Sequence, residues 1–111
     1  MLIYKIFRAA EWQALQAAGE TAGAPIDIAD GYVHFSTAAQ VGETAAKYFV
    51  GVDGLVLLAL DSDALGADLR WEPARGGALF PHLYRALRID DVLWWQPMPL
   101  VDGVHQLPSL T

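Results

Sequence analysis

The sequence predicts an α+β domain, and three observations carry that reading. Short β-type segments outnumber helical ones, one unbroken aliphatic run at residues 55–60 marks a buried central strand, and only two stretches have the spacing of helices. At 111 residues, with 54% hydrophobic and 18% charged side chains, the chain suits a single domain over residues 1–111. A domain of this size buries roughly two-thirds of the surface its unfolded chain exposes, enough for a core of its own.

Residues 2–7 alternate Leu2, Tyr4 and Ile6 with Ile3, Lys5 and Phe7, a period of two that predicts a first strand. A helix is expected over residues 9–18, with Trp12, Leu15 and Gln16 on one side and Gly19 ending it. Residues 23–31 read as a loop and residues 31–36 as a short strand. Thr37-Ala38-Ala39-Gln40 then has the form of a capping box, which predicts a helix over residues 38–49 striped by Val41, Ala45, Tyr48 and Phe49. Gly42 weakens that helix by about 1 kcal/mol relative to Ala, and Gly51 closes it.

The run at residues 55–60 is far shorter than the roughly 20 residues of a membrane-spanning helix and reads as a central strand. Asp61-Ser62-Asp63 opens a turn or short helical piece, residues 69–72 form a strand, and Arg75-Gly76-Gly77 is a turn. Residues 79–87 and 91–97 are extended, the second with Trp94 and Trp95 facing opposite ways. Residues 105–111 are expected to form a short tail. No internal repeat, low-complexity tract or linker breaks the chain.

Composition narrows the function. The N-terminus enters structure at once, without a basic start and cleavable apolar stretch, so a cytoplasmic location is expected. No cysteine is present, which removes disulfides, thiolate metal sites and cysteine nucleophiles. Thirteen acids against seven bases give a formal charge of −6, and no basic cluster is available to displace counterions from a nucleic acid. Neither general nucleic-acid binding nor membrane association is expected.

Because side chains alternate along a strand, Tyr32, His34 and Ser36 share one face while Val33 and Phe35 point into the core. The same alternation groups Phe80, His82 and Tyr84, so two histidines and two tyrosines can converge. The helix start after Thr37 offers unpaired N–H groups to an anion, although a simple cap explains Thr37 as well. Arg75 beside Gly76 and Gly77 sets a permanent cation next to bare backbone, suited to phosphate or carboxylate; the alternative is a surface turn in which Arg75 pairs with Glu72. Glu72 is a candidate catalytic carboxylate or, again, a structural ion-pair partner.

Other residues have structural explanations: Lys47 at a helix end, Tyr48 in the core stripe, Trp94-Trp95 in packing or a dimer surface, and His105 near the tail. The three histidines are scattered and lack His-Glu-x-x-His spacing, so no metal is expected. There is no Gly-x-Ser-x-Gly elbow, phosphate-binding Walker loop or Gly-x-Gly-x-x-Gly turn.

Taken together, Ile3-Tyr4-Lys5-Ile6 with Trp12, the run from Asp30 to Thr37, Glu43-Thr44-Ala45, Trp71-Glu72 and the run from Arg75 to Tyr84 resemble one family. It is the small bacterial family called domain of unknown function 952, and the resemblance spans residues 2–95. That family is grouped by fold with the ADP-ribosyltransferases, which implies a split, two-sheet α+β fold with a cleft that holds NAD in relatives. There a strand histidine followed by a small or hydroxyl residue holds the adenosine-side ribose, a motif matched by His34 with Ser36 or Thr37. Tyr84 is the candidate for the tyrosine that stacks nicotinamide, and Glu72 for the glutamate that orients the ribose.

Three functions are therefore expected in order. In the first, a cleft binds NAD, as a possible substrate, or a related nucleotide or ribose phosphate; His34 and Ser36 hold a ribose, Arg75 and the Thr37 region hold phosphate, and Tyr84 stacks. The second is a non-catalytic interaction module, dimeric through Trp94 and Trp95. In the third, His34 and His82 act as the acid and base of a phosphoesterase.

Overall fold

In chain order the elements are β1 (Leu2–Phe7), α1 (Ala9–Ala18), β2 (Glu20–Thr21), α2 (Pro25–Asp30), β3 (Val33–His34), β4 (Ser36–Thr37) and α3 (Val41–Tyr48). They continue as β5 (Leu55–Asp61), β6 (Leu69–Ala74), β7 (Ala78–Leu83), β8 (Leu87–Arg88), β9 (Trp94–Met98), β10 (Leu100–Val101) and β11 (Val104–His105). Short 3₁₀ turns occupy Ser62–Asp68, Arg75–Gly77 and Ile89–Asp91. These assignments come from a computed structural model that describes residues 1–110, apart from the side chain of Arg75.

The α+β class is as expected, with the strands gathered into two main antiparallel sheets. One has the order β4-β1-β5-β9 and the other β3-β7-β6, while β2-β8 and β10-β11 form two small pairs. Alternation along β1 and β5 divides the core into two clusters, one on each face of the larger sheet. Ile3, Phe7, Val56, Leu58 and Leu60 pack with Trp12 and Leu15 of α1, with Val33 and Leu83 of the smaller sheet and with Phe35 between the sheets. Tyr4, Ile6, Leu55, Leu57 and Ala59 face Val41 and Ala45 of α3 on the other side. Both faces of β5 are thus covered, which is why its sequence is apolar without alternation.

Several elements differ from the sequence reading. The segment 23–31, read as a loop, contains α2. Pro25 stands at its first position, Asp27 accepts the Ala24 N–H at 2.7 Å, and Gly31 closes it with a left-handed φ of 85°. Six residues are too few for helical periodicity to show, so only these end signals announce it.

The strand expected over 31–36 is broken at Phe35 into β3 and β4, which belong to different sheets. Pro81 is the cause. β3 pairs with β7 through Val33↔Leu83 and His34↔His82, and the next step would oppose Phe35 to Pro81. The Phe35 N–H reaches the Pro81 carbonyl at 3.0 Å, but Pro81 has no N–H to return. The chain leaves for β1, where Tyr4↔Ser36 and Ile3↔Thr37 pair.

The helix expected to open at Ala38 begins at Val41. Gln40 does reach back to the Thr37 N–H at 3.0 Å, but its amide also donates to the Leu79 carbonyl at 2.8 Å. Residues 38–40 are held as a turn, and the array of free N–H groups expected directly after Ser36 is not formed there. The strand expected over 69–72 continues to Ala74. The extended run over 79–87 is interrupted at Tyr84, whose N–H turns to the Asp68 carbonyl at 2.8 Å. Asp91 belongs to a 3₁₀ turn, so the last long strand starts at Trp94. Residue 105, placed in a tail, lies in the β10-β11 hairpin, where His105 Nε2 meets the Val52 carbonyl at 2.8 Å, and Leu110 packs on the α3 side of the core. Thr111 lies outside the described residues, and among those described no helix is long and apolar enough to cross a membrane.

Lys5 shares the face of Ile3 and Phe7, so the alternation that builds the core also buries an ammonium, leaving it 5% exposed. Asp27, 1% exposed, meets it at 2.8 and 3.0 Å. Burial alone would raise the Asp27 carboxyl, but the His34 hydrogen bond and the Lys5 charge outweigh it and hold the group below the ordinary carboxylate range. Asp27→Asn is expected to cost about 3–5 kcal/mol in urea unfolding, because it strands Lys5 in the core. A folded pKa below the unfolded one gives a contribution that is complete above about pH 3.9 and is lost as pH falls to the folded value. The same titrations repeated across that acid range are expected to show a steeper loss of stability in wild type than in Asp27→Asn. Gly23, at φ 106°, leaves no room for a side chain: a Cβ would stand 2.6 Å from the Asp27 Cβ. Gly23→Ala is expected to lower stability by more than about 1 kcal/mol in the same assay.

Candidate functional site

Asp27 anchors one end of the site. Its Oδ1 accepts from the His34 backbone N–H at 3.0 Å and from His34 Nδ1 at 2.6 Å, in addition to Lys5. The other ring nitrogen of His34, Nε2, meets Asp30 Oδ2 at 2.9 Å. Both ring nitrogens of His34 are therefore engaged by carboxylate oxygens. The i,i+4 spacing from Asp30 at the end of α2 to His34 in β3 follows from the tight Gly31 turn between them.

Across the β3-β7 ladder, His82 stands opposite His34. Its Nδ1 meets Glu72 Oε1 at 2.8 Å, and the Tyr84 hydroxyl donates to the same oxygen at 2.7 Å. The hydrogen bond from Tyr84, then that from His82, holds the Glu72 carboxyl below its ordinary value. The same Glu72 contact pushes the Tyr84 phenol up, and the Arg70 guanidinium lies 4.6 Å over the Tyr84 ring. Tyr32 sits among these groups, stacked on His82 at 4.2 Å and 22°, with His34 at 4.6 Å and Tyr84 at 5.1 Å. Burial, followed by the charges of Asp30 and Glu72, raises the Tyr32 phenol.

The rings of Tyr32, His34 and His82 form one wall of a cavity of about 330 Å³ between α2, α3 and the two main sheets. Its apolar lining is Ile26, Phe35, Tyr48, Ala74 and Phe80, and its polar lining is Asp30, Tyr32, His34, Ser36, Thr44 and His82. Ser36 and Thr44 hydroxyls meet each other at 2.9 Å. Among the described residues no group of three His, Asp or Glu is arranged to hold a metal ion.

Of the residues nominated from sequence, Tyr32, His34, Ser36, Phe80 and His82 line this cavity together. Glu72 stands behind His82 and pairs with it and with Tyr84. Tyr84 itself borders a neighbouring hollow with Arg85, and Thr37 borders another with Met1, Tyr4 and Leu110. Gly76 and Gly77 form the 3₁₀ turn directly after Ala74, outside the lining. The Arg75 side chain lies outside the described residues. Trp94 packs on Tyr4 at 5.9 Å and Trp95 on Trp12 at 5.3 Å, on opposite faces of β9.

Sequence reasoning missed Lys5, Asp27, Asp30 and Thr44, and it placed Tyr48 in the core stripe of the helix, whereas the residue is exposed near the end of α3 and lines the cavity. For Asp27 a signal existed in Ala24-Pro25-Ile26-Asp27, a proline at the first helical position with an acid two residues on. The phase of Lys5 with Ile3 and Phe7 likewise announced a buried cation that needed a carboxylate.

None of the curated proteins matches this chain. Among solved structures it is similar to protein CC0527 from Caulobacter crescentus. The crystal structure of that protein shares 50% identity, covers 96% of this chain and 94% of its own, and superposes with a TM-score of 0.92. A double mutant of CC0527 gives 50% identity, the same coverage and a TM-score of 0.91. Its solution NMR structure gives 48% identity over 95% of this chain and 90% of that one, with a TM-score of 0.84. The family model described as protein of unknown function (DUF952) matches residues 6–95. With most of its length matched, including every residue that lines the cavity, the chain belongs to the DUF952 family.

Proposed function

We propose that the cavity binds the nucleoside end of NAD or of a related ribose phosphate, in line with the resemblance to ADP-ribosyltransferases. The observation that carries the reading is the composition of its two sides. Ile26, Phe35 and Phe80 supply apolar surface for a base, while Asp30, Ser36 and Thr44 supply oxygens for the hydroxyls of a ribose. At about 330 Å³ the cavity lies near the lower end of the roughly 300–1,000 Å³ usual for small-molecule sites, which suits one nucleoside better than a whole dinucleotide. The phosphates would then lie outside, towards the turn that follows Ala74, and not against the Asp30 carboxylate.

Isothermal titration calorimetry against NAD and ADP-ribose tests this. Binding is expected for at least one of them, and Tyr32→Ala, which removes the ring stacked on His82, is expected to weaken it about tenfold. The absence of heat for both at millimolar concentration would sink the reading, and a dimer in light scattering under those conditions would favour the interaction module instead.

A second reading, a two-histidine phosphoesterase, is favoured by the direct pairing of His34 and His82 in the β3-β7 ladder. The engagement of both His34 nitrogens by carboxylates weighs against it. Turnover of a cyclic phosphodiester, abolished by His82→Ala, is the result this reading requires.

A further inference from the structure

We infer that His82 is a proton-accepting catalytic residue of the cavity and that Glu72 is its positioning residue. The three histidines differ in how their nitrogens are used. His34 is held at both, by Asp27 and Asp30. His105 directs Nε2 to the Val52 carbonyl, which accepts, so Nε2 carries the hydrogen there. His82 directs Nδ1 to Glu72, also an acceptor, so the neutral ring carries its hydrogen on Nδ1 and its lone pair on Nε2.

That lone pair faces a place where a ligand can reach it. Among the described residues, Nε2 of His82 has no hydrogen-bond partner, and no buried side-chain nitrogen or oxygen is left without one. Nε2 is therefore not sealed in the core. His82 is 3% exposed and lines the cavity, so the opening available to Nε2 is the cavity itself. Tyr32 stacks flat on the ring and Glu72 grips its far nitrogen, which leaves the ring one orientation. A carboxylate, a directed imidazole and a cavity are the parts needed to activate a hydroxyl.

The step is a proton transfer. A hydroxyl of the bound ligand, or a water beside it, gives its proton to Nε2; the O–H bond breaks, the N–H bond forms, and the electron pair stays on the oxygen as the nucleophile. The Glu72 carboxylate then faces an imidazolium and balances its charge. The identity of that hydroxyl rests on the ribosyl-ligand reading above, whereas the state of the ring does not.

Long-range ¹H–¹⁵N NMR of the ¹⁵N-labelled protein, at a pH where the imidazoles are neutral, reads the ring directly. His82 is expected as the Nδ1–H tautomer and His105 as the Nε2–H tautomer, each the reference for the other. Glu72→Ala is expected to move His82 towards Nε2–H and leave His105 unchanged. Diethyl pyrocarbonate, followed by mass spectrometry, is expected to modify His82 faster than His34. An Nε2–H tautomer at His82 in the wild type would overturn the inference, as would equal modification of His34. The wild-type measurements decide the matter even where Glu72→Ala fails to fold. Added ADP-ribose is expected to shift the His82 Nε2 resonance. Its binding without that shift counts against the inference, and no binding at all removes the ligand reading while the ring assignment stands.

Discussion

The burial of Lys5 is the constraint around which this molecule is arranged. An ammonium on the inward face of a central strand is tolerated only with a counter-charge at contact distance, and Asp27 supplies it. To place that carboxylate, the chain must form α2 against β1, and Gly23 must remain without a side chain. The same oxygen that meets Lys5 also accepts from the backbone and ring of His34. A core ion pair thereby becomes the mount for a cavity wall. Replacement by an apolar pair of similar volume would lose that mount, whatever it did to stability.

A second constraint is the missing N–H of Pro81. By ending the β3-β7 ladder one residue past His34, it sends the chain from one sheet to the other at Phe35. The space left at the junction is bounded by α2, α3 and both sheets, and it is the space in which the candidate cavity lies. Phe35 remains in the core, while Ser36 has already joined β4 and its hydroxyl meets Thr44 of α3. The cavity is thus a consequence of how two sheets share one segment.

Within that space the two paired histidines are chemically unequal. His34 is enclosed by carboxylates on both nitrogens, which makes it a rigid, saturated element of the wall. His82 is held from one side only. Their sequence contexts, His34-Phe35-Ser36 and His82-Leu83-Tyr84, give little hint of this difference, because it arises from what lies opposite each ring. Asp30 reaches His34 from the helix before it, and Glu72 reaches His82 from the neighbouring strand.

The α+β class, the central position of β5, the two faces of β1 and the grouping of Tyr32, His34 and Ser36 against Phe80 and His82 were all legible from period-two alternation, a property local to each segment. Those two polar faces already nominated five of the residues that line the cavity. What alternation cannot convey is which segments oppose one another. The pairing of His34 with His82, the choice of Asp27 for Lys5, the break at Phe35 and the late start of α3 depend on contacts between distant segments. Pro81 acts on Phe35 from 46 positions away and Leu79 on Gln40 from 39, separations over which local pattern carries no information. Sequence by itself determined which side chains share a face; the tertiary structure decided which faces meet, because partners are selected by the packing of the whole core.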